Sequence, residues 1–175
     1  MMRSLLFLAI AACSASEAPS VSLARDVRAP EGLRALSVLT ADGRPATLDE
    51  LASDVTVLAF WSVSCAPCLE ELPHVGKLAA SYHTDPRVAV LAVNVDDPED
   101  RPAALAAAKD LRLALPIVID HLGEVAARVG GIALPTIAVV DRDFRIHREV
   151  GFDDDAAATF VADHARLVEA ARRRN

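Results

Sequence analysis

The stretch from Val55 to Pro73, VTVLAFWSVSCAPCLEELP, constrains this chain more than any other. A largely apolar run, Val55 to Trp61, has strand length and stops at Ser62, Val63 and Ser64. Six apolar residues in seven, without polar alternation, suit a central strand buried on both faces. Cys65-Ala66-Pro67-Cys68 follows, and then Cys68, Leu69, Leu72, Val75 and Leu78 fall at helical spacings. A strand that runs into a Cys-x-x-Cys turn at the start of a helix is an arrangement for redox chemistry.

Along the rest of the chain, residues 33–39 read as a short edge strand and Asp42-Gly43 as a turn. Thr47 with Glu50 three positions later predicts a capped short helix. Residues 66–83 read as a helix interrupted at Pro73, where the backbone donor is missing. Residues 87–95 form a second buried strand, 102–112 a helix, 116–120 a short strand and 124–129 a short helix. Residues 135–141 and 145–150 pair as a hairpin, and residues 155–172 form a closing helix with acids before it and arginines at its end. Strands alternate with helices and a hairpin closes the chain, which predicts one α/β domain over residues 29–175 with a mixed central sheet flanked by helices.

The N-terminus reads as an address. Arg3 precedes a compact apolar run, residues 5–12, far short of the ~20 residues needed to cross a bilayer. Ile10-Ala11-Ala12-Cys13 resembles the bacterial lipobox, which makes residues 1–12 a signal peptide and Cys13 a lipidated mature N-terminus. The alternative is an ordinary signal cut near Ala11 to Ala15, with Cys13 incidental. Either reading exports the domain to the periplasm or cell envelope, where disulfides form. Residues 13–28 are small, polar and aperiodic, and read as a flexible tether. A net charge of −7 argues against nucleic-acid partners, since phosphate binding needs a basic face.

Cysteines separated by two residues bring both sulfurs onto one helical turn, within bonding reach. Cys65 lies at the helix start, where unpaired amides and the dipole stabilise a thiolate; Cys68 lies within the helix and is shielded. One sulfur attacks a partner disulfide and the other resolves the mixed disulfide. Pro67 stiffens the turn. A permanent staple and half a zinc site are the competing readings, but no second cysteine pair or closely spaced histidine pair completes a zinc set.

Phe60-Trp61, Cys65-Ala66-Pro67-Cys68 and Pro135-Thr136 together resemble the thioredoxin fold, and Leu69-Glu70-Glu71-Leu72-Pro73 is similar to the TlpA/ResA-like branch of exported thiol–disulfide oxidoreductases. The resemblance covers residues 29–171 or so. It implies that Pro135 is cis and faces the disulfide, and that Glu71 is a buried acid that relays protons to Cys68. From the residues alone, Pro135 is equally a strand-start proline and Glu71 a solvated helix glutamate. The thioredoxin aspartate two residues before the tryptophan is replaced by Ala59, which shifts that role to Glu71. The resemblance places Trp61, Ser64, Ala66, Pro67, Leu134 and Thr136 around the partner-binding surface; from the residues alone Trp61 reads as core packing beside the site, and Ser64, where relatives carry Trp, as an N-cap candidate. The implied function is reduction of specific partner disulfides, of the cytochrome c maturation or metallochaperone type. A membrane protein would donate the electrons, the lipid on Cys13 would hold the domain at the membrane, and no cofactor beyond the Cys65–Cys68 couple would be needed. The alternatives are a Cu(I)-binding module using the same cysteines with a histidine, and a thiol peroxidase. The five histidines share no ligand spacing and read as surface or helix-end residues, and Asp96, Asp97, Glu99 and Asp100 as a solvated loop with a helix cap.

Overall fold

The computed structural model describes residues 27–28, 32–130, 133–143 and 145–174. Residues 1–12, read as a signal peptide, Cys13 and nearly all of the expected tether lie outside the described residues. The elements run β1 (Val27–Arg28), a 3-10 turn (Leu33–Ala35), β2 (Ser37–Thr40), β3 (Pro45–Thr47), α1 (Leu48–Leu51), β4 (Val55–Trp61) and α2 (Ala66–Tyr82). They continue with β5 (Val88–Asn94), α3 (Arg101–Asp110), β6 (Ile117–Ile119), α4 (Glu124–Arg128), β7 (Thr136–Val140), β8 (Arg145–Val150) and α5 (Asp154–Arg174).

One mixed sheet carries the fold, in the order β1-β8-β7-β4-β5-β6-β2-β3. Strands β4, β5 and β6 are parallel, and β7 and β8 return antiparallel as a hairpin beside β4. All seven residues of β4 are buried, and their alternation feeds two cores. Val55, Val57, Ala59 and Trp61 pack with Leu72, Val75 and Leu78 of α2 and with Phe160 and Val168 of α5. Leu58 and Phe60 point to the other face, against Leu33, Leu48 and Val125 from the 3-10 turn, α1 and α4. This two-sided burial explains why the strand shows no polar alternation.

Several expected boundaries move for identifiable reasons. Residues 33–39 do not make an edge strand: a 3-10 turn comes first, and β2 lies between β6 and β3. The Asp42-Gly43 turn, with Gly43 at φ 81°, folds β3 back over β2, so β3 takes the edge. Val27–Arg28, assigned by sequence to the tether, adds to the sheet beside β8. Helix α2 runs through Pro73 without a break. The proline costs about 3 kcal/mol, but Leu72, Val75 and Leu78 are fully buried on both sides of it. At roughly 1.5–3 kcal/mol each, their burial outweighs it. The closing helix is longer than expected at both ends: it starts at Asp154 and reaches Arg174, and Arg172 pairs with Asp85 at 3.0 Å and Glu169 at 2.8 Å. The expected cap of α1 is present, with Thr47 Oγ1 accepting from Glu50 N and Glu50 Oε1 accepting from Thr47 N.

Candidate active site

Strand β4 delivers the chain to the sheet's C-terminal end, and Ser62–Ser64 turn it into α2. Cys65 is the N-cap, and its Sγ accepts a hydrogen bond from the Cys68 amide at 3.3 Å. Cys65 N donates to Ser62 O, and Leu69 N donates to Cys65 O, so both sides of the turn are held by backbone. Ser64, an expected N-cap, therefore does not cap the helix; its hydroxyl lies 2.9 Å from Ser62 Oγ. Pro67 occupies the second helical position, where its missing N–H would have had no partner within the helix.

The two cysteines form a disulfide, with Cα atoms 5.2 Å apart. Cys65 is half-buried and Cys68 is fully buried. When the bond opens, a Cys65 thiolate keeps an amide donor and the positive end of a 17-residue helix beside it. Cys68 packs into the core that β4, α2 and α5 share.

Pro135 reaches the site from far along the chain. The register sets Phe60 opposite Thr136, so Pro135 lies at the end of β4 from which the cysteine turn departs. The Leu134–Pro135 peptide is cis, and Pro135 O accepts from Gly151 N at 3.0 Å. Of the residues expected at the partner-binding surface, Ser64, Ala66 and Pro67 are exposed and Leu134 is half-buried. Two correct that expectation. Trp61 is 1% exposed inside the α2–α5 core, and Thr136 is fully buried with its hydroxyl donating to Ala133 O. Both shape the site from beneath, because each sits on a central strand whose two faces are covered.

Glu71 is buried, which resolves the choice between a core acid and a solvated one. It lies one turn after Cys68 on the same face of α2, at the spacing that makes helical side chains neighbours. Burial, and then the negative charge of Glu149, push its pKa up to about 8. The acid therefore keeps its proton at neutral pH while the disulfide is closed.

A family model described as AhpC/TSA family matches residues 17–148. The chain belongs to the AhpC/TSA family. Relatives agree with that placement. The "Thiol-disulfide oxidoreductase ResA" of Bacillus thuringiensis subsp. konkukian is 28% identical over 113 residues, 65% of this chain, and the chain spans 64% of that relative's length. The "Thioredoxin-like protein YneN" of Bacillus subtilis is 31% identical over 120 residues, 67% of this chain and 69% of YneN. Among solved structures, MTB DsbF, described "in its mixed oxidized and reduced forms", superposes with a TM-score of 0.62 at 28% identity, covering 77% of this chain and 98% of that one. A putative thiol:disulfide interchange protein DsbE from Chlorobium tepidum gives a TM-score of 0.67 at 22% identity over 84% of this chain and 99% of that one, a likeness of fold.

This AhpC/TSA family member also places at the site residues that sequence reasoning assigned elsewhere. Asp96 is buried, not part of a solvated loop. Its Oδ1 accepts from Ser62 Oγ at 2.5 Å, and its Oδ2 accepts from Val63 N at 2.9 Å and Asn94 Nδ2 at 2.6 Å. These bonds tie the loop before Cys65 to the end of β5. The available signal was Asn94, a polar residue ending an apolar strand; the β4–β5 register that sets it beside Trp61 is visible only in three dimensions. His164, expected at the surface, is buried and stacked on Phe160 with ring centroids 4.1 Å apart. The His74 ring packs against Phe152 and Phe160. Among the described residues, no group of three His, Cys, Asp or Glu side chains is arranged to hold a metal ion.

Proposed function

We propose that this protein is an exported thiol–disulfide oxidoreductase that reduces specific partner disulfides through Cys65 and Cys68. The observation that carries the reading is the disulfide at the N-cap of α2, with one sulfur half-buried at the helix start and the other fully enclosed. That asymmetry separates an attacking thiol from a resolving one. The ResA and YneN similarities support the reaction class.

The chemistry balances as follows. The Cys65 thiolate attacks one sulfur of a partner disulfide; that S–S bond breaks, one partner sulfur leaves as thiolate, and a Cys65–partner mixed disulfide forms. Cys68 passes its proton to the Glu71 carboxylate and attacks Cys65 Sγ. The second partner sulfur leaves as thiolate, and both partner sulfurs take protons from water. The protein is left oxidised, with Glu71 protonated. A dithiol donor, in this reading a membrane protein, reverses the sequence, and the departing Cys68 thiolate takes its proton back from Glu71. The cysteine pair itself carries the electrons, with no separate cofactor in this reading. Ser64, Ala66, Pro67 and Leu134 offer the surface for the partner chain, and Pro135 sits where an extended segment passes the disulfide. Substrates of the apocytochrome c or metallochaperone kind suit a tethered reductase.

Titrating the Cys65–Cys68 couple against defined thiol buffers tests the direction of flow. A potential well below that of glutathione supports a reductase; one near about −120 mV, the range of dedicated disulfide formers, sinks it. The membrane tether is tested separately. Cys13→Ser is expected to move the protein from the membrane fraction to the soluble envelope fraction, and retention of the variant on membranes would remove the lipid from the account. Among the described residues no helix is long and apolar enough to cross a membrane.

A further inference from the structure

Glu71 lines a cavity of about 60 Å³ together with Glu149, Phe152, Phe160, Asp163 and His164. It is roomy enough for about two waters and has the polar lining that ordered water needs. Glu149 reaches it from β8, opposite Ile137 in the hairpin register. His164 reaches it from α5 and is 5% exposed.

The hydrogen bonding of His164 is informative. Its Nδ1 lies 2.8 Å from Phe160 O. A carbonyl only accepts, so Nδ1 carries a hydrogen, and in a neutral ring Nε2 would then be a bare acceptor. That Nε2 is buried, lacks an aligned hydrogen-bond partner, and stands 3.2 Å from Glu149 Oε2. Two bare acceptors at that distance repel, so one proton must reside between them, on the imidazole or on the carboxyl. The other carboxylate oxygen of Glu149 lies 3.4 Å from His147 Nε2. His147, and then the close approach of His164, hold Glu149 well below the usual carboxylate range, so Glu149 stands in the cavity wall as a carboxylate.

We propose that this cavity is a proton antechamber to the redox site, in which the Glu149–His164 pair holds water against the Glu71 carboxyl and sets how readily that carboxyl ionises. The proposal rests on the reading of Glu71 as the proton partner of Cys68. Glu149 and His164 are positioning residues: they act through Glu71, and neither cysteine lines their cavity. The titratable groups that line the cavity with Glu71 are Glu149 on β8 and Asp163 and His164 on α5; along its own helix Cys68 stands three residues before Glu71 and His74 three after, and His147 stands two residues before Glu149 on β8. Strand β7 adds only the apolar Ile137 to the cavity wall. Asp163 is tied to Arg166. Glu149 is thus the negative charge that works against a second carboxylate, and Cys68 gives up its proton only when Glu71 has ionised despite it.

The test follows the reduced protein reacting with an aromatic disulfide whose released thiolate absorbs visible light. The first phase reports attack by Cys65 and the second reports closure by Cys68. In the wild type the second phase accelerates with pH as Glu71 ionises. Glu149→Gln removes the opposing charge, so the rising limb should move to lower pH by roughly one unit, while Glu149→Asp should return it toward the wild-type position. Glu71→Gln should abolish the limb. If Glu71→Gln abolishes it but Glu149→Gln only lowers the rate evenly at every pH, the antechamber is overturned and the Glu71 relay stands. If the limb survives in Glu71→Gln, both fall.

Discussion

Replacing Cys68 with serine is expected to freeze the protein on its partners as mixed disulfides through Cys65. The first attack needs only the half-buried sulfur at the helix start. The escape of the partner needs the enclosed second sulfur, which serine cannot supply. Cys65→Ser should leave no trapped partner, because Cys68 is fully buried and receives no helix-start amide. Either variant should lose disulfide turnover to background, a drop on the order of a thousand-fold or more, as expected when one member of a catalytic unit is removed. Non-reducing electrophoresis of envelope extracts, followed by identification of the adducts, reads the first result and names the pathway. Heavier trapping by Cys65→Ser than by Cys68→Ser would reverse the assignment of nucleophile and resolving thiol.

Glu71→Gln is expected to stabilise the oxidised protein increasingly as pH rises from about 5 to 8. The folded carboxyl has its pKa raised from 4.5 to about 8, chiefly by burial. Between those values the folded state holds a proton that the unfolded chain has released, so stability falls with rising pH. The penalty is fully developed above the folded pKa. At about 1.4 kcal/mol per unit, it amounts to a few kcal/mol, a large share of the 5–15 kcal/mol that holds a domain together. A glutamine has no proton to lose, so the urea midpoint of the variant should not carry this fall, and the gap from wild type should widen toward alkaline pH. Parallel curves would show that Glu71 does not hold a proton in the folded protein. Glu149 acts in the opposite sense. Its lowered pKa contributes stability that is present above the unfolded carboxylate value and lost only on acidification through the folded one.

The strand, the Cys-x-x-Cys turn and the helix after it were legible because each has a local cause. A largely apolar run of strand length, two thiols one turn apart and a helical apolar stripe all lie between Val55 and Leu78. The α/β order and the capping box of α1 were legible for the same reason. Pro73 misled, because a local rule about missing donors was outweighed by distant packing of Leu72, Val75 and Leu78. Asp96 misled in the other direction. It stands in a run of acids that looks like solvated loop, yet it closes onto Ser62 and Val63 across a parallel strand register.

By itself the sequence determined the redox pair, the polarity of its helix and the apolar strand that aims it, since these depend on neighbours a few residues apart. Only the tertiary structure decided what surrounds the pair. Folding the hairpin back against β4 brings Pro135 to the cysteine turn and Glu149 to the cavity that Glu71 lines, and α5 adds His164 to its wall. Glu71 could have been a surface carboxylate on the evidence of its helix alone. Its proton is held because elements more than seventy residues further along the chain exclude water from one side of α2 and place a second negative charge there. Desolvation and charge at a distance in sequence act through space, and their sign at Glu71 is a property of the assembled fold.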